Sequence, residues 1–250
     1  MNYCISGESG FIGQAISKYL IGKGDIVFRI PRNFTIEGLI CYFGIARPDY
    51  IIHSATYGNH YDTQKDFIEM VNANIIGTYN ILEAAKTTNY KKFYNISTSS
   101  VLLKDKTYYS ITKLCGEQLA GMYKNVVNIR PYSVYGPGEA KHRFIPTVID
   151  CLNTGSEMIL DEGATHAWIF IDDFVIALFA GETEMGGGSK TSNIEVVRML
   201  EYISGKTLKF IPGKLRSYDN DDWPAPKGIC YTSLYDGLKL TYEYFTRENH

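Results

Sequence analysis

The chain has 250 residues, 45% of them hydrophobic and 21% charged, which suits one compact globular unit with a small appended lobe. With 25 Lys and Arg against 27 Asp and Glu, the net charge of −2 gives no electrostatic footing for nucleic acid or an anionic membrane surface. No apolar run reaches the ~18 residues of a membrane span, and the five scattered cysteines, without a C-x-x-C pair, fit reduced thiols in a cytoplasmic protein with no metal cluster.

The first thirteen residues organise everything after them. Tyr3, Cys4 and Ile5 form a short apolar run of the kind a buried parallel strand needs. Gly7, Gly10 and Gly13 follow at three-residue spacing, and Phe11, Ile12, Ile16, Tyr19 and Leu20 then recur at helical spacing. Strand, glycine turn and helix together present backbone N–H groups and a positive helix end to a pyrophosphate. Gly7, Ser9, Gly10, Phe11, Ile12 and Gly13 are therefore the candidate dinucleotide cradle. Since the sequence enters a strand and glycine turn at once, no secretory leader is expected. The pattern is G-x-x-G-x-x-G, which resembles the short-chain dehydrogenase/reductase superfamily, and G-F-I-G resembles its extended, nucleotide-sugar-modifying branch. That resemblance implies an α/β fold: a Rossmann-type doubly wound parallel sheet with a small C-terminal substrate-binding lobe. It places the dinucleotide domain at 1–135 and about 165–182, and the lobe at about 136–164 and 183–250.

Ile26 to Ile30 reads as a second strand. An Asp or Glu at such a strand end binds the ribose 2′-OH of NAD, whereas an Arg accommodates the 2′-phosphate of NADP. This strand ends Arg29-Ile30-Pro31-Arg32 with no acid in place. Arg32 thus favours NADP(H), with NAD(H) still open, and the face of Arg29 is undetermined. The next strand, from Tyr50, ends in His53, Ser54 and Ala55. Ligands of open parallel sheets bind outside such carboxyl ends, so Ser54, Ala55 and Thr56 are expected at the cofactor. His53 reads as a structural histidine before it reads as a catalyst. Asp66 to Lys86 is expected to be one long amphipathic helix. Its stretch N-A-N-I-I-G-T-Y-N-I-L-E-A-A resembles the extended branch, which makes Asn74 the family's buried helix asparagine and a cofactor-site residue.

Lys92 to Thr98 is a further strand ending in hydroxyl residues. Tyr109-Ser110-Ile111-Thr112-Lys113 is Y-x-x-x-K, and four-residue spacing puts Tyr109 and Lys113 on one helix face. A nearby ammonium favours the phenolate and lowers a tyrosine from ~10 toward working pH. Such a tyrosine serves as general acid or base in carbonyl–alcohol chemistry. The family pattern S-S-S-x-x-V-Y-G, laid on Ser97-Thr98-Ser99-Ser100-Val101, selects Thr98 as the hydroxyl that bonds the reacting oxygen. Ser99 beside it is a candidate substrate contact. By the same resemblance Lys113 also holds the nicotinamide ribose.

Val126 to Pro131 is another strand. The run R-P-Y-S-V-Y-G-P-G, Arg130 to Gly138, resembles the family's R-x-x-x-V-Y-G-P. This implies that Pro131 and Ser133 lie near the nicotinamide, and Ser133 near the substrate as well. Arg143 and Phe144 open a helix to Leu152 that the resemblance places near the nucleotide. His166-Ala-Trp-Ile-Phe-Ile-Asp-Asp173 resembles R-D-F-x-x-V-D-D, so His166 stands where the family has a phosphate-binding arginine. Imidazole is a poorer phosphate ligand than a guanidinium fork. Asp172 and Asp173 read as a helix N-cap, and Gly186-Gly187-Gly188 as a flexible turn between lobes. The stretch Asp222-Trp223-Pro224 falls in what resembles a shortened family tail.

The resemblance leaves a choice of reaction. Dehydratases of this branch carry Asp-Glu after the catalytic threonine, where this chain has Ser99 and Ser100, so water elimination is not expected. H-S-A-T-Y-G-N-H from His53, and V-Y-G-P-G-E-A-K-H-R-F-I-P from Val134, look like 4-ketoreductases of the CDP-abequose synthase type. The expected function is NADPH-dependent reduction of a nucleotide-linked 4-keto (deoxy)sugar. An NAD-dependent nucleotide-sugar 4-epimerase is the alternative, and a non-catalytic NADP-binding regulator a third. Family precedent adds a homodimer through helices near 66–88 and 108–124. The 20 tyrosines have no account at this level.

Overall fold

The computed structural model describes residues 1–32, 35–58, 66–104, 106–214 and 231–247. Asn59 and His60 of the H-S-A-T-Y-G-N-H stretch, Asp222-Trp223-Pro224 and Cys230 lie outside these residues. The chain divides into two compact units, Met1–Pro131 and Tyr132–His250. Among the described residues no helix is long and apolar enough to cross a membrane.

The first unit alternates strand and helix: β1 (Asn2–Ser6), α1 (Phe11–Gly22), β2 (Ile26–Ile30), α2 (Ile36–Ala46), β3 (Tyr50–His53), α3 (Phe67–Val71), α4 (Gly77–Ala85), β4 (Lys92–Ile96), α5 (Tyr108–Ala120) and β5 (Val126–Pro131). Its strands pair in parallel in the order β5-β4-β3-β1-β2. The chain leaves β1 toward β2 on one side and returns to β3 on the other, so a switch point falls between the carboxyl ends of β1 and β3. Cys4, Ile5, Ile51, Ile52 and Phe93 are fully buried, as strands covered by helices on both faces require.

Two local features depart from the sequence reading. The helix expected from Asp66 to Lys86 runs without a break from Phe67 to Ala85 but is not α-helical throughout: a π-helical turn, Asn72–Ile76, lies between α3 and α4. Such turns concentrate at functional sites, and this one carries Asn74. Second, α5 starts sharply. Thr107 Oγ1 accepts the amide of Ser110 at 3.1 Å and Ser110 Oγ accepts the amide of Thr107 at 2.8 Å. This reciprocal cap, worth about 1 kcal/mol, sets Tyr109 in the first turn.

The second unit contains β6 (Ser133–Tyr135), α6 (Phe144–Thr154), β7 (Glu157–Leu160), β8 (Thr165–His166), β9 (Trp168–Phe170), α7 (Ile171–Ala180), β10 (Glu184–Met185), β11 (Thr191–Ser192), α8 (Asn193–Ser204), β12 (Lys209–Pro212) and α9 (Leu234–Arg247). β6 runs parallel to β9 with Ser133 opposite Trp168, and β8 pairs antiparallel with β11. The N-cap of α7 is Phe170, not an aspartate. Asp173 stands in the first turn and points elsewhere: its Oδ2 accepts the amides of Tyr231 (3.1 Å) and Thr232 (2.9 Å). The middle glycine of the three from 186 approaches β9 closely. A Cβ on Gly187 would lie 1.9 Å from the Trp168 carbonyl oxygen, so only glycine fits there.

Candidate active site

The glycine turn is shaped by close backbone approach. Gly7 has φ +68, and a Cβ there would stand 2.5 Å from the Ala55 amide nitrogen; one on Gly13 would stand 2.2 Å from the Gly7 carbonyl oxygen. Only glycine lets the turn, the start of α1 and the end of β3 share this space. Gly10 is the N-cap of α1, with no side chain satisfying the helix amides, and it and Ser9 face solvent. Ser54 is tied to the same place: its amide and hydroxyl both donate to the Ser6 carbonyl, at 3.1 and 2.7 Å. The structure thus brings Gly7, Ser9, Gly10, Phe11, Ile12 and Gly13 together with Ser54 and Ala55 at the switch point. A backbone cradle open at a helix N-terminus fits a dinucleotide pyrophosphate.

Beneath the cradle runs a chain of hydrogen bonds. The Ala55 amide donates to Ser6 Oγ (3.3 Å), and Ser6 Oγ is 2.6 Å from His53 Nδ1. His53 Nε2 is 2.9 Å from Thr78 Oγ1, whose proton goes to the Asn74 carbonyl at 2.8 Å. Since Thr78 spends its proton on Asn74, Nε2 must carry the ring hydrogen and Nδ1 must accept from Ser6. Burial, together with the nearby Lys113 ammonium, pushes His53 down to about 3. His53 is therefore a neutral strut.

Asn74 is buried and fully used. Its Oδ1 accepts Thr56 Oγ1 (3.0 Å) and the Tyr57 amide (2.9 Å), while its Nδ2 donates to the Tyr57 carbonyl (2.9 Å) and to Thr112 Oγ1 (3.1 Å). It ties the loop after β3, with Thr56, to the helix that carries Tyr109. Asn74 supports the cradle from behind.

Lys113 is 5% exposed, and its ammonium donates to the Ile96 carbonyl at 2.7 Å. Burial draws its pKa down to about 8, with Glu117 opposing the shift. Two residues beyond Ile96, Thr98 begins a single turn of 3-10 helix, Ser99–Leu102, that packs on α5. Thr98 Oγ1 accepts the Ser100 amide at 3.2 Å and lies 3.0 Å from Ser100 Oγ. Ser99 and Ser100 are buried beside it. Tyr109, one helical turn before Lys113, is half-buried. At the other edge, Arg29 inclines toward Glu8 of the glycine turn at 3.8 Å, and Arg32 is exposed one bend beyond β2. Pro131, at the end of β5, is buried.

The candidates of the second unit form two groups. Ser133 Oγ lies 3.1 Å from His166 Nδ1, and the His166 ring packs on Trp168 at 4.7 Å. Phe144 stacks on the same Trp168 at 5.9 Å and 22°. Arg143, the N-cap of α6, reaches Glu139 at 3.5 Å. Burial lifts Glu139 to about 7 against the pull of Arg143. The partners of His53 and the pairing of Glu117 with Arg130 are not readable from the sequence; four-residue spacing from Lys113 is the available signal for Glu117.

A parallel sheet with its glycine turn at the switch point, and a buried Y-x-x-x-K lysine against the next strand end, defines an extended short-chain dehydrogenase/reductase. The chain belongs to the NAD dependent epimerase/dehydratase family, whose sequence model matches residues 3–194. It is 26% identical to CDP-abequose synthase of Yersinia pseudotuberculosis over 98% of both chains. It is 31% identical to CDP-abequose synthase of Salmonella typhimurium strain LT2 over 69% of this chain and 67% of that one. Among solved structures, the UDP-glucuronic acid 4-epimerase of Bacillus cereus in complex with UDP-glucuronic acid and NAD superimposes with a TM-score of 0.87 at 23% identity, covering 99% of this chain and 100% of the other.

Proposed function

We propose that the protein reduces the 4-keto group of a nucleotide-linked deoxysugar with NADPH. The observation that carries this is the Lys113 ammonium, buried and hydrogen-bonded at the end of β4, one helical turn from Tyr109 and two residues from the Thr98 strand end. In this reading Tyr109 protonates the oxygen that was the carbonyl, Thr98 holds that oxygen, and Lys113 supplies the positive charge that makes the tyrosine a proton donor near neutral pH. The bound dinucleotide supplies the hydride. Gly7, Ser9, Gly10, Phe11, Ile12 and Gly13 hold its pyrophosphate, with Ser54, Ala55, Thr56 and Pro131 along the same strand ends and Asn74 behind them. Ser99, Ser133, Arg143, Phe144 and His166 are assigned to the nucleotide sugar.

Reduction is favoured over dehydration because neutral Ser99 and Ser100 follow Thr98, where elimination needs an acid–base pair. Arg32 at the β2 end, with no carboxylate in the strand's last four residues, favours the 2′-phosphate of NADP. The likeness to the CDP-abequose synthase of Yersinia pseudotuberculosis over nearly the whole chain supports the substrate class. The test is NADPH depletion against a panel of nucleotide-linked 4-keto sugars, with products identified by mass. Depletion with one class of 4-keto sugar is expected. NAD retained through purification, with sugar interconversion and no net depletion, would instead identify a 4-epimerase.

A further inference from the structure

A buried ammonium gives up its proton unless a nearby anion opposes the loss. The groups around Lys113 come from several elements. β4 presents the Ile96 carbonyl at 2.7 Å. β3 presents His53, a neutral imidazole fixed between Ser6 and Thr78. α5 presents Tyr109 four residues before and Glu117 four residues after, the latter 5% exposed. Glu117 is therefore the anion on the buried face of this helix.

Glu117 is held from β5. Arg130 Nε lies 3.0 and 3.2 Å from its two carboxylate oxygens, and Arg130 Nη2 lies 2.7 Å from Oε2. The Glu117 backbone is fixed as well: Asn128 Nδ2 donates to its carbonyl at 3.2 Å, and Asn128 Oδ1 accepts from Asn95 at 2.8 Å. A free carboxylate at this spacing would draw the lysine along the helix, away from Ile96. A fork-bound carboxylate keeps its charge and its place.

We propose that Glu117, clamped by Arg130, is a positioning residue that keeps the Lys113 ammonium charged in its buried seat and aligned with the end of β4. This rests on the reading of Lys113 and Tyr109 given above. The drop of Lys113 to about 8, opposed by Glu117, agrees with it. Arg130 moderates the same charge with the opposite sign, so the two residues make opposite predictions.

The test is a direct titration of Lys113 in protein carrying isotope-labelled lysine, with the resonance identified by its loss in Lys113→Met. No substrate is needed. Glu117→Gln keeps an acceptor for Arg130 and removes the charge; the Lys113 midpoint should fall by about one pH unit. Glu117→Asp should restore it. Arg130→Gln should move it upward, and decides the matter alone if Glu117→Gln does not fold. An unmoved midpoint, or movement of both variants in one direction, overturns the proposal. With an active substrate, the alkaline limb of kcat/KM should follow the same shifts. Shifted midpoints without turnover of any nucleotide-linked 4-keto sugar would support the role of Glu117 and count against the proposed reaction.

Discussion

The Lys113 ammonium lies 2.7 Å from the carbonyl oxygen of Ile96, the last residue of β4. One hydrogen bond therefore joins the helix that carries Tyr109 to the strand end that carries Thr98. It also explains why a costly charge is kept inside. The lysine stem is long enough to cross from α5 to the end of β4, where its ammonium satisfies the Ile96 carbonyl oxygen.

The cost gives the first prediction. The lysine falls from an ordinary 10.5 to about 8. Below pH 8 it is charged in both folded and unfolded chains, and burying it costs about 3 kcal/mol. Between 8 and 10.5 the unfolded chain holds the proton more firmly, so this residue's contribution to stability rises with pH across that window. Lys113→Met removes the buried charge together with one hydrogen bond. Its melting temperature at pH 7 should be no lower than that of the parent, while turnover falls at least a hundredfold. Tyr109→Phe should lose activity to a similar degree and still bind dinucleotide. A Lys113→Met protein that melts several degrees lower would show that the lysine is there for structure.

Much of this was legible in sequence because it rests on chemistry with few substitutes. Gly7 and Gly13 are dictated by backbone contact, and Y-x-x-x-K is dictated by helical period, so both could be located from spacing alone. The π-helical turn at Asn74 could not, since its sequence is compatible with an ordinary helix and the four bonds of the buried amide at its centre reach residues distant in sequence. α2 was also missed. Its run Ile36–Ala46 is apolar on most sides and carries Gly38 and Gly44, which weakens both period and propensity. Part of the tyrosine excess has a place at the opposite end of the sheet: Tyr3 stacks on Tyr50 at 4.9 Å, and Lys91 and Lys92 lie over the rings of Tyr50 and Tyr94. Pairing across a register is a three-dimensional fact that a count of tyrosines does not contain.

His53 gives a prediction about acid. Held near 3 by burial, it stays neutral in the fold while the unfolded chain takes up a proton below about 6.5. The unfolded state then binds more protons, so stability is present above 6.5 and is lost as pH falls toward 3. Between pH 7 and pH 5 the loss from this residue is about 2 kcal/mol. Urea unfolding at the two pH values should show it, and His53→Gln, though less stable at pH 7, should show much less. An equal loss in the variant would mean that other groups carry the acid sensitivity.

Arg32 bears on the choice of dinucleotide. Arg29, itself exposed, inclines toward Glu8, and Arg32 is a second exposed cation one bend beyond β2. A guanidinium on a 2′-phosphate is a charge-assisted contact that NADH cannot make. Arg32→Ala should weaken NADPH about tenfold or more and leave NADH nearly unchanged, as read by fluorescence titration. Equal weakening of both would place Arg32 away from the ribose and remove the main support for NADP.

The helices behind the site carry a separate expectation. Ile68, Ile76 and Tyr79 along α3 to α4, and Tyr108 and Ile111 on α5, are 39–67% exposed, although α3, the π-helical turn and α4 all pack against α5. Large apolar side chains gathered on one helical face of a monomer are costly to leave in water, whereas a two-fold axis covers that face with the same face of a second copy. The homodimer that family precedent implies would use this face. Light scattering should give twice the chain mass, and Ile111→Asp should reduce it to one chain at micromolar concentration, because the new carboxylate would be buried in an apolar seam. Ile111 points away from the Ile96 side of α5, where Lys113 is anchored, so the monomeric variant should keep its far-ultraviolet circular dichroism and its dinucleotide affinity. A variant that remains dimeric would place the subunit contact elsewhere on the protein.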